Sequence, residues 1–419
     1  MATSGRTTNI GQRMQLASHT EIFSLGNVPA IANYKTGGLI GLTAEGLKLC
    51  KKMQAEDVKL EQIPTLCNEL VEHLKSGAYF NGESETLAKR RVYLHVTQRC
   101  NLNCRFCYSR NNLRNRLTDP PLSDLKRAIA LLVKWGASSL VISGGEPFLR
   151  DDLAEIALCA KRARVSGITL ISNGTLITRE ALEPLASAVN IIAISFDGLS
   201  PTSPAWLRGE QRFEILEQKI KLISNTGIKP HIIVTLHHKN VNEIPVYRKL
   251  AENLGASLSF SMLLARGSHA GDFTLTDGEL KTLGEDEATH GGFSSISCRK
   301  TCGAGTTSLS IEADGAIYPC HMLHRPELSM GNAFTDSLKD IRSSSTTKRF
   351  DSLDSRDFDD CQSCQHRPVC GGGCRARAFY SKGKFTSKDP YCALLDAYYS
   401  EFAHLISSSY SKTGDRDAI

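Results

Sequence analysis

Residues 92–107, VYLHVTQRCNLNCRFC, join a strand-like run to three closely spaced cysteines. Val92–Thr97 is short and apolar, as is typical of a strand covered on both faces. Cys100, Cys104 and Cys107 follow it directly with Cys-x3-Cys-x2-Cys spacing. Three thiolates would leave one iron of a four-iron cluster open to a small molecule, whereas electron-transfer clusters are normally closed by four. A zinc site lacking one ligand, or reduced bystander thiols, is the alternative from these residues alone.

Around this stretch the chain alternates strand and helix every 30–35 residues or so, the pattern of successive βα units on a parallel sheet. Six such units cannot close an eight-stranded barrel. They predict an α/β fold with a partial (β/α)6 TIM-like barrel, whose chemistry lies at the carboxyl ends of the strands. The predicted strands are Val92–Thr97, Leu140–Ser143, Ile168–Ser172, Ile191–Phe196, His231–Leu236 and Leu258–Leu263.

Composition places the chain among ordinary globular proteins. Its 419 residues carry a net charge of +6, with 41% hydrophobic and 22% charged residues. These values exclude wholesale disorder, a collagen-like fibre and a coiled coil. No apolar run reaches the ~18 residues of a membrane span, and the first twenty residues lack the apolar stretch of a secretory signal. We therefore expect a cytoplasmic protein with neither a membrane nor a nucleic acid as partner.

The cysteines are the anomaly in this composition. Fourteen are present, and eleven fall into two groups. In a cytosolic chain, grouped cysteines indicate metal or redox work more than a disulfide framework. Cys50, Cys67 and Cys159 lie in apolar helical patterns and are predicted to be small buried side chains. The second group comprises Cys298, Cys302, Cys320, Cys361, Cys364, Cys370, Cys374 and Cys392.

Four regions are predicted from these patterns. Residues 18–82 form a small unit with two strand candidates (Glu21–Ala32 and Gly37–Leu42) and two amphipathic helices (Ala44–Met53 and Pro64–Leu74). A linker follows. The barrel covers 90–288, a Cys- and Gly-rich region that bound metal would hold together covers 289–402, and a polar tail covers 403–419.

The first cysteine group resembles the signature of the radical S-adenosylmethionine (SAM) enzymes, in which an aromatic residue precedes the last cysteine. Phe106 occupies that place. The resemblance implies a 4Fe–4S cluster on Cys100, Cys104 and Cys107 whose open iron chelates SAM. Reduction would then cleave SAM to a 5′-deoxyadenosyl radical that abstracts a hydrogen atom, so the cofactor carries the difficult chemistry.

Further motifs at predicted strand ends match the same family. They are Ser143-Gly144-Gly145-Glu146-Pro147, Ser172-Asn173-Gly174 and Ser195-Phe196-Asp197-Gly198, with Arg208 in a later Arg-Gly. The family assigns the Gly-Gly-Glu-Pro motif to the amino group of SAM, and the other motifs to its ribose and carboxylate. The family's His-Asp pair before Arg208 is absent, which weakens the assignment of that arginine. The resemblance thus implies SAM contacts by Phe106, Gly144, Gly145, Glu146, Pro147, Ser172, Asn173, Ser195, Asp197 and Arg208.

The second cysteine group resembles the SPASM extension of radical SAM enzymes, which holds two auxiliary 4Fe–4S clusters. By position, Cys302, Cys320 and Cys374 would bind the first. Cys298 is a candidate fourth ligand for it, although its spacing to Cys302 is short; without it, that cluster has an open iron. The ligands of the second would be Cys361, Cys364, Cys370 and Cys392. A zinc ribbon is the alternative, and the neighbouring histidines (His321, His324 and His366) are not expected to ligate the clusters.

The N-terminal unit resembles a winged helix of the RiPP recognition element type, which binds leader peptides of ribosomally made, post-translationally modified peptides. Such modules hold the leader as a strand added to a sheet edge. The match is one of pattern, not of invariant residues. A DNA-binding winged helix, supported only by Lys48, Lys51 and Lys52, and a structural cap on the barrel are the alternatives.

These resemblances predict a peptide-modifying radical SAM/SPASM maturase with three 4Fe–4S clusters. Its partners would be a precursor peptide and a reductant such as flavodoxin or ferredoxin, and its product a thioether or another side-chain crosslink. The alternatives are oxidation of a protein side chain, a small-metabolite substrate, and a non-catalytic iron–sulfur or zinc scaffold. The sequence does not single out a general base; Asp197, Glu210 and His238 are candidates.

Overall fold

A computed structural model describes residues 13–81, 89–209, 212–264, 271–290 and 296–413. The strands are β1 (Arg13–Met14), β2 (Thr20–Leu25), β3 (Val28–Asn33), β4 (Leu39–Gly41), β5 (Val58–Lys59), β6 (Arg90–Thr97), β7 (Ala137–Gly144), β8 (Gly167–Ser172), β9 (Ile191–Phe196), β10 (Lys229–Leu236), β11 (Ser257–Met262), β12 (Ser308–Ile311), β13 (Ala316–Tyr318) and β14 (Gly331–Asn332). The helices are α1 (Ala44–Ala55), α2 (Asn68–Ser76), α3 (Leu122–Trp135), α4 (Leu153–Arg162), α5 (Arg179–Leu182), α6 (Phe213–Ser224), α7 (Ile244–Asn253), α8 (Asp277–His290), α9 (Leu338–Ser343), α10 (Ser345–Asp351), α11 (Arg367–Cys370), α12 (Arg375–Lys382) and α13 (Cys392–Thr413).

The six predicted barrel strands are present as β6 to β11, with ends displaced by no more than three residues. They lie side by side in chain order and pair in parallel. Alternation along β6 explains its placement: Val92, Leu94 and Val96 are fully buried in the main apolar core, which also receives one face of α3. Tyr93 and His95 therefore point to the opposite face, the barrel interior.

The sheet continues beyond β6 into the Cys-rich region, which the sequence did not predict. Strand β12 pairs in parallel with β6, with Ile311 opposite Leu94, and β13 and β14 follow as antiparallel strands. The C-terminal region is therefore built onto the barrel edge. By this register Cys302, which precedes β12, and Cys320, which follows the antiparallel β13, both lie toward the amino end of β6.

The N-terminal unit has its own apolar core beneath a three-stranded antiparallel sheet of order β2-β3-β4. The predicted strand Glu21–Ala32 is two strands, because Gly26 adopts a left-handed φ of 61° and turns the chain between them. Helix α1 begins after Thr43, whose hydroxyl caps the Gly46 N–H. Both predicted helices are present, whereas the winged-helix assignment stays a prediction.

The C-terminal helix α13 joins the regions. It packs along α8, while Tyr398, Tyr399 and Ala403 share an apolar cluster with Leu25 and Ala32 of the N-terminal unit. The predicted boundary at 402 falls inside this helix, because the apolar face it buries continues past that position. None of the helices in the described ranges combines the length and apolarity that crossing a membrane requires.

Candidate active site and iron–sulfur centres

Two glycines hold the first cysteine loop against the end of β7. The N–H of Gly145 donates to Thr97 O (2.8 Å), and the N–H of Glu146 donates to Arg99 O (2.8 Å). A Cβ at Gly144 would lie 2.3 Å from Thr97 O, and one at Gly145 would lie 2.0 Å from Arg99 O. Since no side chain fits at either position, the Gly-Gly pair is required for this approach. The motif therefore positions the cysteine loop as well as facing the cavity.

The three thiols of the first group lie on this loop among N–H donors. Arg208 Nη1 is 3.8 Å from Cys104 Sγ, and Arg114 Nη2 is 3.8 Å from Cys107 Sγ. The N–H of Leu102 donates to Cys100 Sγ (3.4 Å). Burial raises the pKa of the Cys100 thiol. Because cations and N–H groups favour thiolates, the donor set suits metal ligation.

A cavity of about 270 Å³ opens beside these thiols at the carboxyl ends of β7 to β11. Polar atoms at strand ends and an apolar rim are usual for a small-molecule site. Seven predicted SAM contacts line it: Phe106, Gly144, Gly145, Ser172, Asn173, Ser195 and Arg208. Three others, Glu146, Pro147 and Asp197, lie behind the lining.

Glu146 is fully buried, and both oxygens of its carboxylate accept hydrogen bonds from within the chain. One oxygen accepts from the Phe148 N–H (3.1 Å) and the Ser172 hydroxyl (2.8 Å), and the other accepts from the Asn173 N–H (2.8 Å). Burial raises the pKa of Glu146, while these donors oppose the shift. Its side chain therefore ties the end of β7 to the end of β8.

Asp197 serves the neighbouring loop in a similar way. Its Oδ2 accepts from the backbone N–H of Leu207 (2.8 Å) and of Arg208 (3.1 Å). Arg208 is thereby aimed at the cavity, and its buried Nε has no hydrogen-bond partner among the described residues. An unpartnered guanidinium N–H beside a cavity suits an anionic ligand group such as a carboxylate.

The opposite wall of the cavity contains aromatic residues that were not predicted to line the SAM site. The Tyr93 and His321 rings stack at 4.2 Å between centroids, and Tyr108 meets His321 edge-on at 5.3 Å. Burial lowers the pKa of His321 to about 4. His321 and Met322 directly follow Cys320, which was the available sequence signal. The cavity thus reaches from the first cysteine group to the second.

Cys302, Cys320 and Cys374 form one set in the C-terminal region. Burial raises the pKa of the Cys320 thiol, and the Cys374 and Cys302 thiols add to the shift. Asp389 positions the loop, since it accepts from the Cys374 N–H (2.6 Å) and pairs with Arg377.

Cys361, Cys364, Cys370 and Cys392 form a second set. Burial raises the pKa of Cys370 to about 12, and the other three thiols contribute to the shift. Gly371, Gly372 and Gly373 all adopt left-handed φ values between 60° and 78°, so the chain between Cys370 and Cys374 folds tightly. Four grouped thiolates can close a cluster or bind zinc.

Cys298 lies in an apolar cluster at the junction of the N-terminal unit, α13 and the segment that carries Cys370. It is only 2% exposed and packs with Leu25, Val369 and Tyr398 where the N-terminal unit meets α13. Its N–H donates to Gly37 O (3.0 Å), and burial raises the pKa of its thiol to about 12. In this position it packs at an interface, and its candidacy as a fourth ligand beside Cys302 stays a prediction.

Of the candidate general bases that the structure describes, neither Asp197 nor His238 lines the cavity. Glu210 lies outside the described residues. His238 Nδ1 bonds to Glu279 (2.8 Å) on the exposed side of the loop after β10. Asp197 is occupied by backbone N–H groups, as described above. The general base therefore stays unassigned.

Sheet, cysteine loop and strand-end cavity together define the class of protein. Residues 94–251 match the Radical SAM superfamily, and residues 302–365 match SPASM, an iron-sulfur cluster-binding domain. The chain is a radical SAM enzyme with a C-terminal SPASM domain. These domains imply SAM and a 4Fe–4S cluster, and the loop with Cys100, Cys104 and Cys107 fits that cluster in donor type and surroundings.

Relatives extend over most of the chain. The AdoMet-dependent heme synthase of Methanosarcina barkeri is 27% identical over 73% of this chain and 97% of that protein. Mycofactocin maturase MftC of Mycolicibacterium smegmatis is 26% identical over 71% and 81%. PqqA peptide cyclase of Gluconobacter oxydans is 26% identical over 71% and 89%.

Two solved structures share the fold. Native anSMEcpe with bound AdoMet aligns with a TM-score of 0.62 at 18% identity, covering 77% of this chain and all of that one. Streptococcus suis SuiB bound to S-adenosylmethionine aligns with a TM-score of 0.58 at 16% identity, covering 90% of this chain and 99% of that one.

Proposed function

We propose that this enzyme is a maturase of ribosomally made peptides. It takes a hydrogen atom from a carbon of a core-peptide residue, and a side-chain crosslink such as a thioether forms at that carbon. It carries three 4Fe–4S clusters: one on Cys100, Cys104 and Cys107, and one on each cysteine set of the SPASM domain. An external reductant such as flavodoxin or ferredoxin supplies electrons.

This proposal rests on one observation: the cavity extends from the first cysteine group to residues beside Cys320. One wall is the loop of the SAM-binding cysteines, and the other is His321 and Met322, which adjoin Cys320. A substrate carbon in this cavity lies between the site of hydrogen abstraction and an electron acceptor. Forming a bond at that carbon releases one electron, which needs such an acceptor nearby.

The residues of the chain would position and shield the reaction. When bound, the SAM-binding cluster supplies the radical by reducing and cleaving SAM. Arg208, held by Asp197, pairs with the SAM carboxylate, while the ends of β7 and β8 are fixed by Glu146. The stacked rings of Tyr93 and His321 close the far wall against water.

The N-terminal unit supplies the reason to propose a peptide substrate. Strand β4 is an edge of its sheet, and among the described strands it pairs only with β3. A leader peptide could therefore extend the sheet. Two relatives named as a maturase and a peptide cyclase, and a second structure of SuiB bound to precursor peptide SuiA, support the same choice. The SuiB alignment also covers more of this chain than that of anSMEcpe.

Leader dependence tests the peptide assignment. The full-length enzyme would be given a candidate precursor peptide encoded beside its gene, or the same peptide without its leader half. We expect modification of the intact peptide only, together with slower amide hydrogen exchange in β4 when the leader is added. Equal turnover of both forms without protection in the N-terminal unit would contradict the role of that unit. A failure of all peptides, with turnover of a tetrapyrrole, would favour the activity named for the heme synthases instead.

A further inference from the structure

A buried polar cluster lies in the barrel interior where β6 meets β12. His95 projects from β6, Glu312 follows the end of β12, and His324 comes from the loop after β13. His95 is fully buried, Glu312 is 3% exposed, and the His324 side chain is 6% exposed. The His95 and His324 ring centroids are 4.8 Å apart. Neither the SAM site nor the two cysteine sets uses these side chains.

The cluster contains more buried polar atoms than it has hydrogen bonds. Neither ring nitrogen of His95 has a partner among the described residues, nor does Nδ1 of His324 or Oε1 of Gln98. Each buried polar atom left in this state costs about 1–3 kcal/mol. Four such atoms on His95, His324 and Gln98 are therefore unfavourable unless another species binds in this cluster.

The donor atoms already converge. One ligand atom each from His95, Glu312 and His324 lies within 4.8 Å of the others. A divalent ion with bonds of about 2.0–2.2 Å would draw such atoms to roughly 3.3 Å from one another. Rotation of three side chains by about 1 Å achieves this, within the motion that side chains of a packed interior allow.

The surroundings of Glu312 and His324 also suit ligation. Gln98 Nε2 and Asn111 Nδ2 both donate to Glu312 Oε1 at 2.5 Å and so fix its carboxylate. His324 Nε2 bonds to Ser310 Oγ at 2.8 Å, which leaves Nδ1 as the free ligand atom facing Glu312. Metal-binding imidazoles and carboxylates are commonly oriented by such second hydrogen bonds.

We propose that His95, His324 and Glu312 bind a divalent metal ion, zinc by ligand chemistry, at a site separate from the iron–sulfur clusters. Two imidazoles and one carboxylate are a common zinc donor set, and Gln98 Oε1 or water completes the coordination. Gln98 and Asn111 flank the SAM-binding cysteine loop, whereas Glu312 and His324 belong to the SPASM domain. The ion would therefore fasten these two parts together.

Zinc analysis of the full-length holoenzyme tests the proposal. After equilibration with Zn²⁺ and removal of the excess, we expect about one zinc per chain in addition to iron. Extended X-ray absorption fine structure at the zinc edge should show only nitrogen and oxygen neighbours near 2.0–2.1 Å, and no sulfur at about 2.3 Å. Sulfur neighbours would place the zinc on cysteines and overturn the proposal, as would the absence of bound zinc.

Substitutions identify the ligands. Glu312→Gln keeps the shape of the side chain and removes its charge, and His324→Gln removes the imidazole. Each should lower zinc affinity at least tenfold while iron content stays unchanged. The matched control is His237→Gln, another buried histidine outside the cluster. Zinc retained by both cluster variants would refute the assignment. If a variant loses iron as well, the zinc neighbours measured by X-ray absorption in the unchanged enzyme decide whether the ion lies on histidines and a carboxylate or on cysteines.

Discussion

Replacing Glu146 by glutamine separates two roles for the Gly-Gly-Glu-Pro motif. If the carboxylate binds the amino group of SAM, Glu146→Gln should weaken SAM binding and leave stability unchanged. The geometry indicates instead that the carboxylate joins two strands. We therefore expect Glu146→Gln to destabilise the barrel before it affects any ligand contact.

The magnitude follows from the hydrogen bonds. The N–H groups of Phe148 and Asn173 reach opposite oxygens of the carboxylate, and a carboxamide offers only one oxygen. In either orientation one backbone N–H faces an NH₂ group. Losing a hydrogen bond to a charged group costs about 1.5–3 kcal/mol. Relief of the buried charge, whose pKa burial raises, offsets part of this, which leaves about 2 kcal/mol.

Thermal unfolding and SAM calorimetry under anaerobic conditions measure both effects. At about 2–4 °C per kcal/mol, Glu146→Gln should lower the apparent melting temperature by roughly 4–8 °C. The control is Glu155→Gln on the exposed side of α4, which should stay within about 0.5 kcal/mol of the unchanged protein. An unchanged melting temperature combined with a large loss of SAM affinity would refute the positioning role.

Three further outcomes follow from other contacts. Asp197→Asn removes the charge that holds the Leu207–Arg208 backbone, so SAM affinity should fall about three- to tenfold in calorimetry; unchanged affinity would show that Arg208 needs no such support. Cys298→Ser should keep the iron content of the enzyme, whereas Cys302→Ser should lose iron; iron loss in both would make Cys298 a cluster ligand. Glu21→Gln breaks the ion pair with Arg367 and should weaken the docking of the N-terminal unit by about 1–3 kcal/mol. Limited proteolysis should then cut faster between that unit and the barrel. An unchanged digestion rate would count against this docking contact.

Periodic strands and ligand spacing were the predictable part of the fold and site. The strands β6 to β11 were found because buried parallel strands are short apolar runs between amphipathic helices. The two cysteine sets could be proposed from the sequence because ligand spacing is local in the chain, and their assignment to separate clusters stays a prediction. Strand β12 was missed, since its pairing with β6 joins residues more than 200 positions apart.

The surroundings of individual site residues depend on tertiary contacts and could not be predicted from the sequence. Glu146 matched a motif, but its burial beneath Ser172 and Asn173 follows from the packing of neighbouring strands. Cys298 matched a spacing, yet the N-terminal unit covers it. His321 carried no motif and became a cavity residue only because the Cys-rich region joins the barrel edge.

The mass of a precursor peptide after anaerobic incubation with enzyme, SAM and reductant distinguishes a peptide maturase from a radical SAM enzyme with another substrate. We expect loss of two hydrogen atoms for each bond formed, accompanied by 5′-deoxyadenosine, and no change with the Cys100→Ala variant. Fragmentation would then locate the crosslink. Deoxyadenosine formed while every leader-bearing peptide keeps its mass would contradict the peptide-maturase account and leave only the radical SAM assignment standing.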